Sequence, residues 1–327
     1  MKKKTHVRKL VFSVAILILV LVMLYSGLQI LESTVLYREQ GERGFTSKTI
    51  SRNGQAYFPR QDITTVLVMG IDRYGAVEDS GYYQNVGASD MNILLIFDEV
   101  TKNCSVLHLN RDTMLEMPVL GLGGKKAGTY YGQLALSHTY GTGLADSCEN
   151  TKEAVSNFLY GIEIDYYVAM HMDAISILND AVGGVTVNNT EDFSEVNPFI
   201  TLGTVTLKGQ QAIDFVRTRK DVGDQLNLSR IQRQQTYLDG FVDAFRAQRD
   251  NDPGFIVTAY EEVQPYLVTD CSVNVISGMV ERFGDFQVSE VVTPEGENVL
   301  GEEYFEFYVD EEKLDELILR LFYAPKK

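Results

Sequence analysis

Cysteine is scarce: Cys104, Cys148 and Cys271 are the only three in 327 residues, too few and too odd in number for a disulfide framework. The fold must rest on its buried core; one bridge is possible and none is needed. Histidine is as sparse. His6, His108, His138 and His171 stand apart without H-x-x-x-H spacing, and no cysteine pair has metal-ligand spacing, which argues against a zinc site. Positive charge is short as well, with 29 Lys plus Arg against 45 Asp plus Glu and a formal net charge of -16. An acidic surface repels phosphate backbones, so no nucleic-acid partner is expected, and no helix-turn-helix signal suggests one. Repeats are lacking, and no linker is rich enough in Pro or Ser to split the chain. Apolar residues are plentiful at 45%, enough for a sizeable core, which excludes wholesale disorder.

The first residues differ from the rest. Residues 1–9 carry Lys2, Lys3, Lys4, Arg8 and Lys9 and no acid, and Leu10 to Leu31 follows without a charge. At about 1.5 Å per residue such a run spans the roughly 30 Å hydrocarbon layer of a bilayer. A cleaved signal peptide would have a shorter apolar stretch ending at a small-x-small site, and Tyr25-Ser26-Gly27 matches that poorly. The reading is an uncleaved transmembrane helix over residues 10–31, with the basic flank cytoplasmic and the C-terminal domain extracytoplasmic in a cell membrane. Polar residues 32–60 read as a stalk, and residues 61–327 as one exported, strongly acidic domain.

Within that domain, Thr64–Ile71, Met91–Phe97 and Cys104–Leu109 are apolar runs of strand length, expected to be buried on both faces. Helical patterns over Asn150–Tyr160 and Asp173–Val182 alternate with strands at Tyr166–His171 and Val185–Val187. A long helix is expected over Ser229–Ala247, opened by the capping box Ser229-Arg230-Ile231-Gln232. The tail adds a helical stretch at Val273–Phe283, strands at Val288–Thr293 and Tyr304–Val309, and a helix over Asp310–Leu321. The class is α/β, a mixed central sheet sandwiched between helices.

Two clusters can carry chemistry. A turn at Thr101-Lys102-Asn103 folds the second strand back on the third and brings Asp90 opposite Arg111-Asp112-Thr113; if the first strand enters beside them, Asp72 joins the same sheet edge. These carboxylates either form a site or cap turns, with Arg111 paired to a neighbouring acid. The second cluster is basic. Arg217 and Arg219 share a face if Arg217-Thr218-Arg219-Lys220 is extended, and Arg230, Arg233 and Gln234 share a face of the following helix. Guanidinium forks match phosphate oxygens, so the array reads as a phosphate or pyrophosphate clamp; a solvated face paired with Asp221 and Asp224 is the competing reading. Elsewhere, Gly121 to Lys126 departs from the phosphate-loop pattern and reads as a surface loop, and Ser137-His138 lacks a nucleophile elbow.

The order of these motifs resembles the LytR-CpsA-Psr family, the cell-wall glycopolymer ligases of Gram-positive bacteria. The resemblance covers about residues 62 to 323 and runs through Val66-Leu67-Val68-Met69-Gly70-Ile71-Asp72, Ser89-Asp90, Asn110-Arg111-Asp112-Thr113 and Ile164-Asp165-Tyr166-Tyr167. It continues through Gly183-Gly184-Val185, Leu207-Lys208-Gly209-Gln210-Gln211-Ala212, Val216-Arg217-Thr218-Arg219 and Ser229-Arg230-Ile231-Gln232-Arg233-Gln234. It implies a groove for a polyprenyl-pyrophosphate-linked glycan, and transfer of a phospho-glycan from that carrier to a peptidoglycan acceptor. It also implies Mg²⁺ as cofactor, held by Asp72 and Asp90. Arg111, Arg217, Arg219, Arg230 and Gln234 would contact the pyrophosphate, and Asp90 or Asp112 would take the acceptor proton. A non-catalytic polyprenyl-phosphate-binding envelope protein, or an attenuator of envelope gene expression, is the alternative. Two departures stand out: Met91 where the family commonly has Thr, and Asn110 where it commonly has Pro. The loop Val222–Leu228 is also longer than in many relatives.

Overall fold

In the computed structural model, residues 49–325 are described apart from 53, 80–86, 122–123, 219–221, 223–226, 253, 272–274, 276–277, 280–281, 284–285 and 302–303. The expected transmembrane segment 10–31 lies outside the described residues. Among those described, no helix is long and apolar enough to cross a membrane.

The chain begins with β1 (Ile50–Arg52), β2 (Gln55–Pro59), β3 (Ile63–Ile71), β4 (Ser89–Asp98), β5 (Asn103–Leu109), β6 (Met114–Leu120) and β7 (Lys126–Gln133). After a 3-10 turn come α1 (Ala145–Phe158), β8 (Tyr166–His171), α2 (Asp173–Ala181), β9 (Val185–Asn189), β10 (Gly203–Leu207), α3 (Gln210–Arg217), α4 (Asn227–Asn251) and α5 (Phe255–Val263). The tail holds β11 (Leu267–Thr269), β12 (Gln287–Val292), β13 (Gly296–Leu300), β14 (Phe305–Val309), α6 (Glu311–Phe322) and β15 (Tyr323–Pro325).

Six strands form the central sheet in the order β11-β8-β3-β4-β5-β12. The β8–β3 and β5–β12 pairs are parallel and the others antiparallel, so the sheet is mixed, as expected. Its central strands are apolar on both faces because both are covered. Val66, Val68, Ile93 and Leu95 point into one core with Phe215 of α3 and Phe241 and Phe245 of α4. Leu67, Met69, Ile71, Leu94 and Ile96 point the other way, against α1 and the α6 residues Leu314, Ile318 and Leu321. Each such aliphatic side chain contributes about 1.5–3 kcal/mol when fully buried. The α6 stripe is set in register by Asp310, whose carboxylate accepts from the backbone N–H groups of Glu312 and Lys313. Its replacement by Ala would cost about 1 kcal/mol.

Three expectations are corrected. Residues 50–59 are not stalk: β1 and β2 pair with each other, and β2 pairs with β15, so they belong to the folded domain. Arg217 is not on an extended segment but is the last residue of helix α3, so strand alternation does not place it beside Arg219. Helix α4 begins at Asn227, upstream of the Ser229 capping box. The three cysteines are buried and free.

Candidate active site

The site is built where β3 and β5 end and β4 begins. The hairpin expected at Thr101–Asn103 is present, with Asp98 opposite Asn103 and Asn92 opposite Leu109, and Lys102 in the left-handed region at φ 55°. On the other side β3 runs antiparallel to β4, pairing Gly70 with Met91 and Ile71 with Ser89. Asp90 is skipped in this register, which makes it the extra residue of a β-bulge. Bulges re-aim a side chain that strict alternation would send into the sheet. Ser89 and Asn92 fix the bulge from within: the Ser89 hydroxyl donates to the Asn92 side-chain oxygen at 2.6 Å, and the Asn92 amide donates to the Ser89 carbonyl at 2.8 Å. Met91 is accommodated by Gly70, since a Cβ at that glycine would stand only 3.1 Å from the Met91 Cβ.

At the end of β5, Asn110 shapes the turn that the family commonly gives to Pro. Its side-chain oxygen accepts from the Asp112 backbone N–H at 3.0 Å and its carbonyl from that of Thr113 at 3.1 Å. The turn lays Arg111 across the mouth. Its Nη1 lies 2.7 Å from the Asp90 Oδ1 and its Nε 3.4 Å from the Asp112 Oδ1. Asp112 is held from behind by the Gln133 amide, which donates to its Oδ1 at 3.1 Å.

Arg217 closes the mouth from α3. Its Nη2 donates to the Asp72 Oδ1 at 2.8 Å, its Nη1 donates to the Tyr74 hydroxyl, and its guanidinium carbon sits 5.3 Å from the centre of the Tyr74 ring. The two clusters seen in the sequence are thus one site. Arg217 pairs with Asp72; Asp221 and Asp224 lie outside the described residues. With 45% of its side chain exposed, Arg217 keeps donors open to a ligand.

Burial raises the Asp90 carboxyl above its ordinary value; Arg111 and Arg217 oppose the rise, while Asp72 and Asp112 add to it. That one carboxylate feels all four neighbours, which establishes their convergence. Asp112 is also raised, by burial, against the opposing charge of Arg111. The Asp90 Oδ1 is shielded from water and, among the described residues, accepts no hydrogen bond: Arg111 touches it as an ion pair without hydrogen-bond geometry. A buried anionic oxygen in this state suits a hard cation. Asp72 and Asp90 have the hard-oxygen chemistry of residues that would hold a magnesium ion. No larger cluster of three or more His, Cys, Asp or Glu that could hold a metal exists among the described residues.

The remaining expected residues divide. Arg219 lies outside the described residues, as does the Arg230 side chain, although Arg230 itself is on α4. Gln234 donates its amide to the Val216 carbonyl at 3.0 Å, so it braces the end of α3 next to Arg217. Arg233, grouped with the clamp in the sequence, is 4% exposed. Its donors go to the Phe215 and Thr218 carbonyls and to Glu191, with the Phe193 ring beneath. Tyr74 and Gln133 were missed, because a tyrosine in a loop and a glutamine closing a strand carry no signal in one dimension. Beside Asp72 a cavity of 340 Å³ opens, lined by residues that include Arg73, Tyr74, His138 and His171. A larger one of 650 Å³, lined by Asp146, Glu149 and Asp165, lies at the opposite end of the strands, away from the paired Asp and Arg residues.

A mixed-sheet α/β domain thus carries interlocked Asp and Arg pairs at its strand ends. The LytR_cpsA_psr family model matches residues 24–321, and the chain belongs to that family. It is 30% identical over 192 residues to TagU of Enterococcus faecalis, named polyisoprenyl-teichoic acid–peptidoglycan teichoic acid transferase, over 59% of this chain and 57% of that one. The Bacillus subtilis protein of the same name is 26% identical over 196 residues, 60% of this chain and 56% of that one. The chain spans little more than half the length of these curated relatives. In fold it resembles TagT bound to LI-WTA, with a TM-score of 0.57 at 23% identity over 80% of this chain and 90% of that chain. It also resembles B. subtilis TagV, with a TM-score of 0.56 at 22% identity over 80% of this chain and 96% of that chain.

Proposed function

We propose that the protein is a membrane-anchored phosphotransferase that moves a phospho-glycan, of the teichoic acid type named for its relatives, from a polyprenyl-pyrophosphate carrier to a peptidoglycan hydroxyl. The observation that carries this reading is the convergence of Arg111 and Arg217 with Asp72, Asp90 and Asp112 on one sheet edge. Arg111 and Arg217 bind the pyrophosphate and neutralise the charge that grows on the leaving lipid phosphate. Asp72 and Asp90 would hold Mg²⁺, which would supply further charge neutralisation to the bound phosphates. Asp112 accepts the proton of the acceptor hydroxyl. Gln133 and Arg111 keep it oriented, and burial raises its carboxyl as it does that of Asp90. The acceptor oxygen forms a bond to the glycan-linked phosphorus, the bond from that phosphorus to the bridging oxygen breaks, and polyprenyl phosphate departs.

The uncharged run 10–31 after a basic flank supports anchoring, with the catalytic domain outside the cytoplasm. A reporter fused after Lys327 should be active only on the outer side. The decisive experiment incubates the chain with lipid-linked glycan, peptidoglycan and Mg²⁺. Covalently linked glycan and released polyprenyl phosphate are expected; lipid binding without product would leave only a carrier-binding envelope protein.

A further inference from the structure

The chain carries two hairpins outside the central sheet, β6–β7 and β13–β14. Small surface hairpins ordinarily face water with polar residues. These present aromatic rings instead: Tyr131 is 55%, Phe305 60% and Tyr308 40% exposed. Strand alternation explains how β14 can do this and still be anchored. Phe307 is buried and fastens the hairpin, with Phe305 on the same face of the strand, while Glu306 and Tyr308 point away on the face that Tyr308 presents to solvent. The two hairpins meet: Thr113 bridges Phe307, and Tyr131 is close enough to Tyr308 to act on it electrostatically. Exposed aromatic area of this kind marks an interaction surface.

The surface continues directly into the site. The Phe307 backbone N–H donates to the Asp112 carbonyl at 2.8 Å. The Gln133 amide holds the Asp112 carboxylate at 3.1 Å and the Phe305 carbonyl at 2.8 Å. One side chain thus ties the ring-bearing strand to the carboxylate that faces the acceptor, whereas Arg217 and Asp72 lie on the other side of Asp90, toward α3.

We propose that the two hairpins form the docking shelf for the glycan strand of the acceptor. Pyranose rings present flat C–H faces that stack on aromatic rings, and hydroxyl and N-acetyl groups that pair with acids and phenols. Tyr308 already shows the second ability, donating its hydroxyl to Glu306 at 2.6 Å. Charge decides against a membrane as occupant. Glu116, Glu297 and Glu306 lie on these strands, so an anionic lipid surface is repelled. The same acids disfavour the anionic donor polymer and leave an uncharged sugar backbone as the matching chemistry. This deepens the transferase reading and rests on it.

The test uses the full chain in detergent, peptidoglycan sacculi stripped of attached polymers, and phosphatidylcholine–phosphatidylglycerol vesicles. Tyr131→Ala and Tyr308→Ala should each weaken sacculus binding roughly two- to tenfold, and the double variant Tyr131→Ala/Tyr308→Ala more than about tenfold. Tyr131→Phe and Tyr308→Phe should retain most of the affinity, because the ring remains. In transfer assays the alanine variants should raise KM for sacculi while KM for the lipid-linked donor stays unchanged. Both tyrosine side chains are exposed, so an unchanged melting temperature confirms that the variants fold. Unaltered sacculus affinity in the double variant overturns the proposal. So does loss of vesicle binding with sacculus binding intact, which would make the shelf a membrane contact. If the wild-type chain binds sacculi through these rings but transfers no glycan, the shelf stands and the transferase reading falls. Normal transfer with the same sacculus KM after both tyrosines are removed does the reverse.

Discussion

Arg217 and Arg233 stand sixteen residues apart in sequence and on either side of one helix end, yet the same guanidinium group does different work in each. Arg233 is buried among Phe193, Glu191 and the carbonyls that α3 leaves unpaired at its C-terminus. Arg217 is half exposed, and its acidic partner Asp72 is itself 39% exposed. A helix end must satisfy its last carbonyls, and Arg233 does so from a neighbouring helix. Relieved of that duty, Arg217 can face outward. The contrast teaches that an arginine's chemistry is set by whether its donors are already taken, and not by its place in a basic run.

Removing Arg233 should have the largest effect. Arg233→Ala strands the Glu191 charge and the Phe215 and Thr218 carbonyls, and should destabilise folding by about 3–5 kcal/mol, read as a lowered urea midpoint. A stability loss under about 1 kcal/mol would erase the distinction between the two arginines.

Arg217→Ala should change stability by no more than about 1 kcal/mol, as for an exposed pair. It should weaken binding of polyprenyl pyrophosphate by about 1.5–3 kcal/mol, tenfold or more, measured by titration calorimetry. Arg217→Lys should restore only part of that, since a point charge cannot reproduce the fork. Equal lipid affinity in the wild type and both variants would place Arg217 with the structural arginines.

A smaller effect follows from the carboxylates. Burial raises Asp90 and Asp112, so each binds its proton more readily in the folded state than in the unfolded one. Such a group contributes stability that is fully present below its unfolded value of about 4 and is lost as pH rises through the folded value. Asp90→Asn should therefore raise the melting temperature slightly at neutral pH, by an increment that vanishes on acidification, while transfer is abolished. Transfer by the wild type should fall on an acid limb lying above the ordinary carboxylate range, as the Asp112 base is protonated. A rate profile flat down to about pH 4 would remove Asp112 from that role.

Arg249 should matter least. It lies in the last turn of α4 and, among the described residues, pairs only with its neighbour Asp250, both exposed. Arg249→Ala should alter stability by less than about 0.5 kcal/mol and lipid affinity not at all. A measurable loss of binding would show that general positive charge, rather than geometry, attracts the lipid.

Much of this was legible in one dimension. The central strands β3, β4, β5 and β8 were visible because burial on both faces demands uninterrupted apolar runs, and the turn before Asn103 because it had to reverse the chain. Asp90, Arg111 and Asp112 could be brought to one edge from that hairpin alone, and Asp72 on the condition that β3 entered beside it. The β6–β7 hairpin was not legible, since β7 is exposed along nearly its whole length and carries no alternation. Helix α3 was hidden because a short amphipathic segment ending in Arg217-Thr218-Arg219 reads equally as a strand.

The sequence by itself determined the mixed α/β class, the sheet edge that gathers the carboxylates, and the membership suggested by the order of its motifs, because local apolar patterning and turn chemistry act over a few residues. Which arginines meet which acids was left to the tertiary structure. Arg217 reaches Asp72 across 145 positions and Arg233 reaches Glu191 across 42. Such pairings depend on how helices α3 and α4 pack on the sheet, and on which carbonyls that packing leaves unpaired. A guanidinium in a linear sequence carries no record of either.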